Sequence, residues 1–211
     1  MGRPREHDET TAEALLDAGE ELLATGGQDA VSVRAVTRAV EVPTRAVYSL
    51  FGSKAGLLQA LAARGYRLLA DRVDGVAATD DALADLVAAG MEGFRPFALA
   101  HPGLFRLTFQ RVPAEVVSDA TVSEAAFASY RSLVRWIERA QESGAIDGRP
   151  AEELAFAFHS CCLGLATSEL SREPPPVGGN FWEPVRDVDG ADLWRGALEA
   201  LVTGFSQSGR D

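Results

Sequence analysis

Between residues 43 and 54 the chain places Pro43, Thr44, Arg45, Tyr48, Ser49 and Lys54 around a sparse apolar pair, Val47 and Phe51. That pair is one helical turn apart, so a helix over this stretch can bury both and turn the polar set outward. The outward set suits a polyanion. Arg45 can reach guanine O6 and N7, or a phosphate, and Thr44 can bond a phosphate or touch a thymine methyl. Tyr48 can donate its hydroxyl to a phosphate. Lys54 stands at the start of the next helix, where free backbone N–H groups already favour an anion. The chemistry on offer is recognition of DNA.

Total charge argues against that reading at first sight. The 211 residues carry 31 acidic and 20 basic side chains, a formal net charge of −11. The distribution matters more. From Ala30 to Gly56 there are four basic residues (Arg34, Arg38, Arg45, Lys54) and one acid, Glu41, a local net of +3. Residues 73–211 hold 11 basic and 21 acidic residues. Exposed charges further apart than about 8–10 Å are largely screened at physiological salt, so a local cationic face can work on an acidic body.

Catalytic arrangements are not expected. The three histidines stand at 7, 101 and 159, and no HExxH, Gly-rich phosphate loop or G-x-S-x-G occurs. The two cysteines, Cys161 and Cys162, are neighbours that point about 100° apart on a helix, so they do not easily chelate together. Neither an enzyme nor a metal or other cofactor is expected. No charge-free stretch is long enough to span a bilayer, and MGRPREHDETT lacks the apolar core of a signal peptide, so a cytoplasmic protein without membrane partners is the expectation.

The elements that must hold the polar set are helical. Leu15, Ala18, Leu22 and Leu23 fall on one face of a helix over roughly 9–25, stopped at Gly26-Gly27. Ser32 offers an N-cap for a short helix with Val33, Val36 and Val40 inward. A turn at Glu41-Val42 leads to a helix from Thr44 to Leu50, opened by Pro43, and Ser53 caps a longer one from Lys54 to about Val76. Further helices are predicted over Asp80–Ala100, Leu104–Arg111, Val122–Ser143, Pro150 to about Arg172, and Ala191–Phe205. The Pro/Gly-rich stretch 173–190, with Phe181 and Trp182, is predicted as a loop. Sustained strand alternation is absent, so the fold class is all-α.

Three short helices, the last two joined by a tight turn, form the layout of a helix-turn-helix reader. Residues 15–61, with S-V-R-x-V followed by V-P-T-R-x-V-Y-x-x-F-x-S-K-x-x-L-L, resemble the N-terminal domain of the TetR family of bacterial transcriptional regulators. The resemblance implies a helix-turn-helix domain over 1–56 and a larger helical domain over 57–211 that dimerises and binds an effector. It implies a homodimer on double-stranded operator DNA, a repressor released by an unknown small molecule. A DNA-binding regulator or architectural protein without an effector is the alternative.

Carried over by position, Pro43, Thr44, Arg45, Tyr48 and Ser49 read the DNA, and Ser32, Arg34 and Lys54 meet phosphates. Arg3 and Arg5 resemble a basic arm for an A·T-rich minor groove, the alternative being a solvated tail. Two positions depart from the family pattern: Glu41 stands where glycine is common in the turn, and Leu50 where histidine is common.

The second half, with FALAHPGLFRLTF at 97–109 and LAFAFHSCCLGLATSEL at 154–170, resembles a subgroup carrying a Trp-His-Gly triplet, here Phe158-His159-Ser160. Phe94, Phe97, Phe105, Phe109, Phe127 and Tyr130 are candidates to wall an effector cavity. His159 is either a pocket residue or a hydrogen-bonded core histidine. The helices around 150–172 and 191–205 are expected to form the dimer interface, where Gly164 and Ala166 permit close approach.

Overall fold

The computed structural model describes residues 5–146, 148–171 and 188–207, and among these no strand occurs. The helices are α1 (Arg5–Ala30), α2 (Val33–Ala39), α3 (Arg45–Phe51), α4 (Lys54–Asp74), α5 (Ala82–Ala88), a π segment (Ala89–Phe94), α6 (Arg95–Ala100), α7 (Pro102–Phe109), α8 (Ala114–Val117), α9 (Ala120–Glu142), α10 (Ala151–Leu170) and α11 (Gly190–Gln207). The all-α expectation holds. Phe181 and Trp182 lie outside the described residues.

The chain forms two compact units. Among the described residues, those up to Leu68 pack with His101–Ala128, and Leu69–Ala100 pack with those from Ser129 onward. In the first unit α1 and α7 lie side by side. Gly103 makes this possible: a Cβ there would sit 2.7 Å from the Ala24 nitrogen. His101 precedes α7, Pro102 occupies its first turn, and the His101 Nδ1 meets a Glu20 carboxylate oxygen on α1. Leu15, Leu23, Leu57, Leu61, Leu104 and Phe105 are fully buried here, and burying one such side chain stabilises by about 1.5–3 kcal/mol. Tyr66 donates to the Thr108 carbonyl at 3.0 Å, and burial pushes its phenol pKa up.

The second unit is centred on Trp194, Phe97, Phe158, Leu86 and Ile137, all below 2% exposed. Asp85 is buried within it and accepts from the Thr79 backbone and hydroxyl and from Arg139. Burial alone would raise the Asp85 pKa, but these hydrogen bonds outweigh it and hold the carboxyl below its ordinary value.

Two features depart from the sequence expectation. The helix expected over Asp80–Ala100 begins at Ala82, because Asp81 spends its carboxylate capping Leu83 and Ala84, and it is interrupted by the π segment. Pro96 explains the interruption. Its ring conflicts with the carbonyl four residues back, and the wider register, in which the Arg95 N–H bonds Gly90, ends immediately before it. Gly90 also lets other helices close in, since a Cβ there would meet Leu198 at 2.5 Å and Phe158 at 3.2 Å. The short α8 was not anticipated.

Candidate nucleic-acid interface

The reading segment is fixed from below by caps. Ser32 accepts from the Ala35 N–H at 3.1 Å and starts α2, whose Val36 is fully buried. At its far end the Glu41 N–H donates to Arg38 and the Val42 N–H to Thr37, at 3.3 and 3.0 Å. This pair of bonds is a Schellman closure, and it requires a left-handed residue at 41. Glu41 supplies it with φ 58°, alone among the described non-glycine residues. The left-handed turn expected of a glycine is thus made here by a residue with a side chain.

Helix α3 then has one strong anchor. Val47 is fully buried, and Phe51 and Leu50 are half-buried. Pro43, Thr44, Arg45, Tyr48 and Ser49 are exposed, Tyr48 to 57%. The Thr44 side chain caps nothing. Gly52, at φ 74°, ends the helix by donating to the Tyr48 carbonyl, and Ser53 caps α4 by accepting from Gly56 at 3.0 Å. Gly56 sits so close to α3 that a Cβ there would lie 1.8 Å from the Phe51 carbonyl oxygen. Backbone contact thus sets where α3 stands relative to Lys54, which is exposed.

The electrostatics follow. Arg34, Arg38, Arg45 and Lys54 are all exposed, and among the described residues none has a carboxylate within 4.0 Å. Arg38 was counted in the local charge but not singled out as a contact. Its signal was the four-residue spacing from Arg34, which puts both guanidiniums on one face of α2. Arg3 and the side chain of Arg5 lie outside the described residues.

The aromatic candidates fall into two clusters. In the second unit Phe94 and His159 meet edge to face at 5.6 Å between centroids, Tyr130 stands 6.5 Å from His159, and Trp194 lies 6.3 Å from Phe94. Burial holds the His159 pKa below its ordinary value, and the Tyr130 hydroxyl donates to the Glu152 carbonyl. Trp194, not anticipated, also donates to Glu169, which Arg95 grips through Nε and Nη2 at 3.1 and 2.7 Å. In the first unit Phe109 contacts Phe105 at 5.7 Å and Tyr66 at 5.4 Å. Phe97 is fully buried, and Phe127 is 67% exposed. Cys161 is half-buried and Cys162 buried, and burial pushes both thiols up. Among the described residues no three His, Cys, Asp or Glu side chains are grouped to hold a metal ion, and no helix is long and apolar enough to cross a membrane.

Comparison with known proteins agrees with this geometry. The family model for bacterial regulatory proteins of the tetR family matches residues 15–61, and that for the tetracyclin repressor-like C-terminal domain matches 87–201. A solved structure of a Rhodococcus sp. RHA1 protein of unknown function is similar over 93% of this chain and 96% of its own, at 25% identity and TM-score 0.77. A TetR-family transcriptional regulator from Pectobacterium atrosepticum shares the fold over 99% of this chain and 100% of its own, at 19% identity and TM-score 0.70. So does FadR from Bacillus subtilis, solved in complex with stearoyl-CoA, over 91% and 98%, at 18% identity and TM-score 0.70. No curated protein sequence matches. With one family model covering the reading segment and a second covering more than half the chain, the chain belongs to the tetR family of bacterial regulatory proteins and is a DNA-binding transcriptional regulator.

Proposed function

We propose that the protein is a homodimeric, cytoplasmic repressor that leaves its operator when a small molecule binds residues 57–211, with residues 1–56 acting as the reading head. The observation that carries this is the exposed set on α2 and α3, its cations without carboxylate partners among the described residues, held in place by buried Val47 and the left-handed turn at Glu41. Arg45 and Thr44 approach base edges, Pro43 and Ser49 border them, and Tyr48, Ser32, Arg34, Arg38 and Lys54 meet phosphates. The Ser32 oxygen is committed as an acceptor to the α2 cap, but its O–H can still donate outward.

For the effector, Phe94, Tyr130 and His159 form the core of the reading, since they already stand together with a neutral imidazole among rings. Phe97, in the same unit, is retained as a candidate for its wall, whereas Phe105, Phe109 and Phe127 belong to the first unit and are candidates only for a separate site there. A fold relative solved with stearoyl-CoA favours a ligand-responsive regulator, although at 18% identity it says nothing of which ligand. Release requires that the effector bind the DNA-incompetent arrangement better than the competent one. The burial of Phe94, Phe97 and Phe105 favours a second reading, a regulator without an effector. A thermal-shift survey of metabolites separates the two, because only the first predicts stabilisation by a ligand.

The DNA reading is tested by salt titration on operator selected from a random pool. Arg45→Ala should weaken binding by about 1–3 kcal/mol and lower the salt slope by about one. Tyr48→Phe should weaken it less. Unchanged affinity in both variants would place the reading face elsewhere.

A further inference from the structure

A cleft of about 330 Å³ lies along the seam between α1 and α7, inside the first unit and outside the DNA-facing set. Its size is within the range of small-ligand sites. The seam is tied at His101 to Glu20 and at Gln28, whose Nε2 donates to the Arg111 carbonyl. The cleft follows the stretch between those ties. Leu23 and Leu107, both buried, give it an apolar floor. One wall is bare backbone, because α1 kinks at Gly27, with φ 65°, and space beside that residue is open.

Arg106 and Arg111 both line this cleft. Elsewhere Arg64, Arg95, Arg131, Arg135 and Arg139 each lie within 4.0 Å of a carboxylate. Among the described residues Arg106 and Arg111 do not, although Arg106 is half-buried. A cation in the last turn of α7 is favoured by the helix dipole, which accounts for Arg106 alone. It does not account for a second arginine, the exposed Arg111 beyond the helix end, bordering the same cavity. A single carboxylate, Asp29, borders the cleft.

We infer that this cleft is a binding site for a small anion, a phosphate monoester or a carboxylate, held by Arg106 and Arg111 over the Leu23–Leu107 floor. Guanidinium forks suit both oxyanions. The cavity is too small for a polynucleotide. The site is independent of the effector reading and of DNA contact, and α1, which forms one of its walls, also packs against α2 and α3.

The test uses the full-length, ¹⁵N-labelled protein at constant ionic strength, with inorganic phosphate and citrate titrated separately. The amides of Gly26, Gly27 and Gly103 should shift and saturate with at least one of them. Saturation by phosphate alone assigns a phosphate-bearing ligand, by citrate alone a carboxylate, and by both the shared oxyanion chemistry. The pair Arg106→Gln and Arg111→Gln together should weaken binding at least about tenfold, whereas Asp29→Asn should tighten it about threefold. Arg67→Gln, on α4 and not lining the cleft, should change nothing. Linear shifts without saturation for both anions overturn the site. So does equal affinity in the wild type and the double variant, or no tightening in Asp29→Asn.

Discussion

Replacing Glu41 by glycine should stabilise the protein, against the rule that glycine weakens folded chains. Glu41 stands at φ 58° to let Val42 and Glu41 close the end of α2. Holding an L-residue in the left-handed region costs about 1–2 kcal/mol relative to glycine, because its Cβ crowds the following carbonyl. Glycine returns part of that gain, about 0.4–1 kcal/mol, through the added freedom of the unfolded chain. The expected net is a gain of about 0.5–1 kcal/mol. For a chain of this size that is an increase of about 2–4 °C per kcal/mol in Tm, readable by circular dichroism melts and urea midpoints. Glu41→Ala separates strain from charge: it removes the carboxylate but keeps the Cβ, and should leave stability within about 0.5 kcal/mol. Both variants remove the one acid of the +3 segment, so both should tighten operator binding about two- to threefold at low salt and less at high salt. A Glu41→Gly protein that melts lower, or a Glu41→Ala protein that gains as much as Glu41→Gly, would show that the left-handed turn is not the term being relieved.

Gly56→Ala should cost about 3 kcal/mol, at the upper end for overpacking, since the added methyl would meet the Phe51 carbonyl oxygen rather than a side chain that can turn away. Operator binding should fall with it, and a Tm within 1 °C of wild type, to rough precision, would refute the close contact. His159→Gln should flatten the pH dependence of stability just below about pH 6.5. The imidazole is held neutral by burial, so its folded pKa is depressed; the unfolded chain binds the proton more readily below about pH 6.5, and wild-type stability falls there by up to about 1.4 kcal/mol per pH unit. Parallel urea-midpoint curves for wild type and variant across that range would contradict it.

The helices were legible because their signals are local. Ser32 and Ser53 cap as their positions suggest, and Gly52 and Gly144 take the positive φ that helix ends require, whereas the expected stop at Gly26-Gly27 is a kink at Gly27 within α1, which runs on to Ala30. What was not legible depends on distant partners. The π segment is prompted by Pro96, but its tolerance rests on Gly90 meeting Leu198 and Phe158 from helices far along the chain. The aromatic list could not be partitioned from sequence. Phe105 and Phe109 lie only 11 and 15 residues beyond Phe94, yet they join Tyr66, while Phe94 joins His159 and Trp194. Glu41 is the intermediate case: its position in the turn was readable, but whether a glutamate would accept the left-handed conformation was a question of what the Schellman bonds return.

Net charge was the most misleading number in the sequence, and the structure explains why. Several arginines of the helical body are spent on ion pairs: Arg64 with Asp17, Arg95 with Glu169, Arg135 with Asp74, Arg139 with Asp85. Those cations are geometrically committed and leave the acidic excess at the surface, a field that opposes nonspecific contact with nucleic acid. Arg34, Arg38, Arg45 and Lys54 are exposed without carboxylate partners among the described residues. A phosphate reaching them displaces only water and counterions, which is the process that gives DNA binding its salt dependence. An acidic protein can therefore hold DNA where four free cations meet it, provided its other surfaces stay beyond a screening length from the backbone. Selectivity is then set by geometry, because there is little diffuse attraction to rescue a misaligned complex.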